Sequence, residues 1–172
     1  FRPRRTEEEI RKQMPWATQG KLAGHKRNVI TSLVLDPAIM EENNIRFQAK
    51  YRKIEEAEVR YEEIGCENAD YLMIAFGSMA RICLKTQEMA LAEGIKVGVL
   101  RPITLWPFPS KIIAEYANKV KGMISVELNA GQMVEDIRLA VNGKVKVEHF
   151  GRLGGIVPTP DEVLNALKQK LM

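Results

Sequence analysis

The chain has 172 residues, a formal charge of +4 and two cysteines. That is enough for one domain with a real core, and two cysteines alone build no iron–sulfur cluster, zinc site or disulfide framework. The charge is lopsided: through Arg27, eight Lys and Arg face three Glu, an excess of +5 that leaves the remainder near −1. A nucleic-acid binder carries its basic stripe on the folded body, interleaved with aromatics, so that class is disfavoured; no apolar run approaches the roughly 18 residues of a membrane span.

Residues 1–35 read as an extended basic arm or interdomain linker. Residues 7–14 fit two helical turns, Gly20 and Gly24 mark loop, and residues 28–35 fit a strand or an arm laid across a neighbour. The chain starts at Phe1 with no initiating Met and no secretory pattern. It is expected to be a piece of a longer polypeptide, with free thiols suited to the cytoplasm.

Residues 36–172 are expected to form one α/β domain. Asp36-Pro37 starts a helix, since Asp caps free amides and Pro loses nothing at the first helical position. Met40, Phe47, Tyr51, Ile54 and Tyr61 then share a face, which predicts a helix to about residue 63. Arg52/Glu56 and Glu56/Arg60 add charged i,i+4 pairs, and the apolar stripe is either a covered face or a seam for a partner helix.

Apolar runs at residues 71–76, 95–100 and 123–128 alternate with helical segments, the signature of a parallel sheet covered on both faces. After the first run, Gly77-Ser78 opens a helix carrying Met79, Ile82, Cys83 and Met89 on one face. Ser78 is read as a plain N-cap, with phosphate binding as the weaker alternative. After the second come Arg101 and the proline-rich segment with Trp106 and Phe108, which either forms a contact surface or caps the sheet's own core. Residues 145–150 alternate as an edge strand does, and Thr159-Pro160-Asp161-Glu162 is a capping box that opens the closing helix.

The third run ends in Glu127-Leu128-Asn129-Ala130-Gly131-Gln132, an apolar strand turning sharply into a helix. Parallel strands would bring Ser78, Arg101, Glu127 and Arg152 to one carboxyl edge, where they would bind an anion or form structural ion pairs. His25 and His149 have no Cys or spaced acid beside them, and His149 is read as a surface residue. No metal site, catalytic group, nucleophile elbow or P-loop stands out.

The run Val97-Gly98-Val99-Leu100-Arg101-Pro102-Ile103-Thr104-Leu105-Trp106-Pro107-Phe108-Pro109, with Val126-Glu127-Leu128-Asn129-Ala130-Gly131-Gln132-Met133, resembles the C-terminal region of the alpha-type subunit of 2-oxoacid:ferredoxin oxidoreductases. Leu35-Asp36-Pro37 and Lys50-Tyr51-Arg52-Lys53-Ile54-Glu55-Glu56 resemble the ketoisovalerate branch more than the 2-oxoglutarate branch. The resemblance implies a transketolase C-terminal-like domain, a three-layer α/β/α sandwich with a mostly parallel sheet. It further implies a complex that oxidatively decarboxylates a 2-oxoacid on thiamine diphosphate, passes electrons through iron–sulfur clusters to ferredoxin and delivers the acyl group to coenzyme A.

This segment lacks the Gly-Asp-Gly diphosphate motif and cluster cysteines, so it is expected to be silent alone and to hold other domains and subunits in register, within a dimer-forming assembly. Ser78, Arg101, Trp106, Phe108, Glu127, Asn129 and Gln132 are the interface or binding candidates. Two rivals remain open: a stand-alone flavodoxin-like nucleotide or anion binder using Ser78 and Arg101, and an interaction domain of an unrelated complex.

Overall fold

The computed structural model describes residues 5–17, 26, 29 and 31–172. Gly20, Gly24, His25, Asn28 and Ile30 lie outside the described residues. The chain divides into two compact units, Phe1–Phe47 and Gln48–Met172.

In the first unit, α1 (Glu7–Gln13) is the expected pair of turns. Thr6 accepts the Glu9 N–H, and the Glu9 carboxylate accepts the Thr6 N–H, a capping box absent from the sequence reading. Residues 31–36 form no strand. Helix α2 (Pro37–Ala57) begins where Asp36 accepts the Ala38 and Ile39 N–H groups, and it runs across the boundary between the units. None of its residues is buried.

The expected extension of α2 to residue 63 is wrong. Residues 58–60 leave the helix, and β1 (Tyr61–Ile64) pairs antiparallel with β3 (Val97–Pro102). Ile54 and Tyr61 kept a helical spacing by coincidence; a ladder to a strand some forty residues on overrode it. Arg60 accordingly pairs with Glu58 at 3.0 Å rather than with Glu56.

The second unit is built on a five-stranded sheet of order β1-β3-β2-β4-β5, with β2 (Tyr71–Ile74), β4 (Gly122–Glu127) and β5 (Lys146–Gly151). All pairings other than β1·β3 are parallel. The period-2 alternation of the strands feeds two cores. On one face Met73, Val97, Val99, Ile124 and Val126 meet α3 (Gly77–Ala92) and α6 (Pro160–Leu171). On the other, Leu72, Ile74, Leu100 and Met123 meet α4 (Ser110–Tyr116) and α5 (Met133–Val141). This is the anticipated three-layer α/β/α sandwich with a mostly parallel sheet, and β5 is the anticipated edge.

The capping box at α6 is present: Thr159 accepts the Glu162 N–H at 3.3 Å, and Glu162 accepts the Thr159 N–H at 2.8 Å. Pro160 follows at the first turn. The Thr159→Ala variant is expected to lose about 1 kcal/mol of stability in urea denaturation at an unchanged slope.

Candidate functional site

The strand directions gather the candidates along one edge. Arg101 lies in β3, Gly77-Ser78 follows β2, Glu127 ends β4 and Arg152 follows β5. The chain leaves β2 towards β3 and leaves β4 towards β5, so the connections diverge between β2 and β4. In open α/β sheets, ligands and partners dock at such a divergence.

Here that position is filled from within. Glu127 is 1 % exposed, and its carboxylate reaches the N-terminus of α5. Oε2 accepts the N–H groups of Gln132 at 3.1 Å and Met133 at 2.8 Å, while Oε1 accepts the Val134 N–H at 3.0 Å and the Ser125 hydroxyl at 2.7 Å. Three donors that a helix start leaves without partners are thereby satisfied, and the negative charge sits at the positive end of the helix dipole. Burial alone would raise this carboxyl; the bonds from Ser125, Met133 and Gln132 outweigh it and hold Glu127 below the ordinary range.

The rest of the Glu-x-Asn-x-Gly-Gln motif serves the same turn. Asn129 Oδ1 accepts the Gly131 N–H at 2.7 Å, and Gln132 is the N-cap residue, with its side chain exposed. Across the turn, Gly151 permits a close approach: a Cβ there would stand 2.2 Å from the Asn129 carbonyl oxygen and 2.7 Å from His149 Cε1. His149 is therefore not the expected surface residue. Its side chain is 22 % exposed, and Nε2 lies 3.9 Å from Glu127 Oε1. An alternating edge strand carried no signal for this, because the contact depends on the turn folding over β5.

The two arginines do not share a crevice with Glu127. Arg101 Nη1 binds Glu62 of β1 at 2.8 Å, and Arg152 Nη1 binds Glu162 at 3.3 Å. Structural ion pairing is the outcome, with exposed pairs worth little. Ser78 is not the N-cap of α3: that residue is Phe76, without a side-chain bond, and Ser78 is exposed in the first turn beside Arg101.

The proline-rich segment divides its two aromatics. Phe108 is half-buried against the core beneath α4 and α5. Trp106 is 56 % exposed, with its ring edge-on to Tyr51 at 5.6 Å. The segment is pinned, not loose: Ile103 N–H donates to the Arg60 carbonyl at 2.9 Å, Arg60 N–H donates to the Thr104 hydroxyl, and that hydroxyl donates to the Pro107 carbonyl.

Exposed apolar side chains that the sequence reading passed over extend the rim. Ile103 and Leu105 join Trp106 after β3, Leu128 follows β4, and Leu153, Ile156 and Val157 follow β5. Their only sequence signal is apolar residues placed in connections rather than in periodic segments.

A hollow of about 790 Å³ lies at the opposite, amino edge and holds none of the candidates. Cys66, Gln87 and Tyr116 line it. Tyr116 donates to Glu63, and burial together with that bond raises the phenol above its usual value. Among the described residues no three His, Cys, Asp or Glu gather to hold a metal ion. Burial pushes the Cys66 thiol up to about 11 and the Cys83 thiol up to about 12, so both sulfurs stay protonated and make poor ligands. No helix among the described residues is long and apolar enough to cross a membrane.

The profile of the family described as pyruvate:ferredoxin oxidoreductase core domain II matches residues 69–163. The chain belongs to this family. It is 45% identical to the ketoisovalerate oxidoreductase subunit VorB of Methanothermobacter thermautotrophicus over 94% of its own length and 45% of that subunit. Against the 2-oxoglutarate synthase subunit KorA of Methanothermobacter marburgensis the identity is 34% over 59% of the chain and 27% of that subunit. The chain thus spans about half the length of the ketoisovalerate relative it matches.

In three dimensions it is similar to the 2-oxoglutarate:ferredoxin oxidoreductase of Magnetococcus marinus, solved with 2-oxoglutarate, coenzyme A and succinyl-CoA. The TM-score is 0.69 at 26% identity, over 81% of this chain and 24% of that one. A split-gene transketolase shares the fold at TM-score 0.56 and 20% identity, over 65% of this chain and 41% of that one. The relatives are subunits of 2-oxoacid oxidoreductases, and the transketolase likeness agrees with the expected domain type.

Glu127→Ala is expected to cost about 3 kcal/mol, since it leaves buried helix donors and the Ser125 hydroxyl without an acceptor. Because the folded carboxyl lies below its ordinary 4.5, its contribution to stability is complete above that value and is lost as the pH falls through the folded value. Denaturation of wild type and Glu127→Gln from about pH 7 towards pH 3 should show the difference between them shrinking in acid.

Proposed function

We propose that this chain is the C-terminal part of the alpha-type subunit of a cytoplasmic, thiamine diphosphate-dependent 2-oxoacid:ferredoxin oxidoreductase of the ketoisovalerate branch. In the complete complex, 3-methyl-2-oxobutanoate would be oxidatively decarboxylated to an acyl-CoA, with electrons leaving through iron–sulfur clusters to ferredoxin. The higher identity to the ketoisovalerate subunit than to the 2-oxoglutarate subunit supports the choice of branch.

Within that complex the chain acts in docking and architecture. The observation that carries this is the rim itself: exposed Ile103, Leu105, Trp106, Leu128, Leu153, Ile156 and Val157 stand on connections leaving one edge of a rigid sheet. Apolar groups set together along one edge mark an interaction site, and a rigid base positions it. Residues 1–35 serve as the linker to the preceding domain, and residues 36–172 as the docking domain.

Thiamine diphosphate and iron–sulfur clusters do not fit this chain's own residues. The helix end at the strand divergence, where a diphosphate would sit, is taken by Glu127. Its two thiols are buried and protonated, which suits no iron–sulfur cluster. Thiamine diphosphate, clusters and coenzyme A are assigned to other parts of the assembly, and no chemical step is assigned here. The anion-binding alternative is weakened because Arg101 is already neutralised by Glu62.

In the full complex, Trp106→Ala is expected to weaken assembly by about tenfold or more, the loss of one aromatic anchor. The isolated chain should lose only about 1 kcal/mol, the Tyr51 contact. Analytical ultracentrifugation with turnover on 3-methyl-2-oxobutanoate, pyruvate and 2-oxoglutarate checks both parts. Unchanged assembly and activity would remove the docking role, and preference for another acid would move the branch.

A further inference from the structure

The His149 imidazole stands in an unusual position beside Glu127. Nε2 is 3.9 Å from Glu127 Oε1, closed to solvent, and without a hydrogen-bond partner. Each carboxylate oxygen already accepts two donors: Ser125 and Val134 on Oε1, Gln132 and Met133 on Oε2. A carboxylate offers about four such sites. Glu127 is saturated, so Nε2 completes no bond to it in either tautomer.

The two tautomers nevertheless differ in energy. With the proton on Nδ1, Nε2 turns a lone pair towards a buried negative charge. With the proton on Nε2, the positive end of the N–H dipole faces that charge. The backbones of Gly131 and Gly151 close over the ring: a Cβ at Gly151 would stand 2.8 Å from Nε2, and one at Gly131 would stand 3.6 Å away. Nδ1 makes no hydrogen bond among the described residues and is not among their buried unpartnered atoms.

We infer that Glu127 fixes His149 as the Nε2–H tautomer, leaving Nδ1 as a hydrogen-bond acceptor at the carboxyl edge for a donor on the abutting domain or subunit. This rests on the docking reading above. Glu127 is then a positioning residue acting through His149.

The chain has two histidines, so nitrogen NMR of histidine-labelled protein resolves their rings, and the His149→Asn variant assigns them. In its neutral form His149 is expected to carry its proton on Nε2. A proton on Nδ1 overturns the inference.

In the full complex, His149→Phe should weaken association by about tenfold, whereas His149→Asn, which keeps an acceptor near the place of Nδ1, should stay within about twofold of wild type. Thermal melts of both variants separate a folding defect from a lost contact. Wild-type association of His149→Phe removes the acceptor role while Trp106→Ala still weakens assembly; normal assembly of both variants removes the docking reading as well.

Discussion

A carboxylate at the end of the central strand holds the start of the next helix, and the carboxyl edge takes its form from that bond set. Burying an ionised group is costly unless every lone pair finds a donor. Glu127 meets that condition with three backbone N–H groups and one hydroxyl. Strand β4 and helix α5 are thereby joined at one point, and the intervening turn, fixed further by Asn129, closes over His149 and Gly151.

The consequence for function is a division between inside and outside. Most polar groups that reach the edge bond within the chain: Glu127 to α5, Arg101 to Glu62, Arg152 to Glu162. What faces outward is mainly apolar, on segments that hydrogen bonds pin in place. An edge of this kind is suited to contact with protein more than to capture of a small anion.

Much of the fold was legible because local and global signals agreed. The apolar runs became β2, β3 and β4, and the Thr159 capping box opened α6. Strand β1 was hidden because Tyr61 continued a helical spacing and only a distant strand could claim it. At the edge, sequence order identified Glu127, Arg101 and Arg152 but not the direction each side chain would take. The saturation of Glu127 depends on a turn geometry that spacing does not encode. His149 was read as a surface residue for the same reason, since its neighbours come from another strand and from the turn folded over it.

The two buried thiols have a practical side. Oxidants and alkylating reagents attack the thiolate, and sulfur protonated behind packed side chains offers almost none near neutral pH. Peroxide would pass both by, and a maleimide dye would find little to label. A single cysteine introduced at the rim would therefore report on its surroundings against a quiet background.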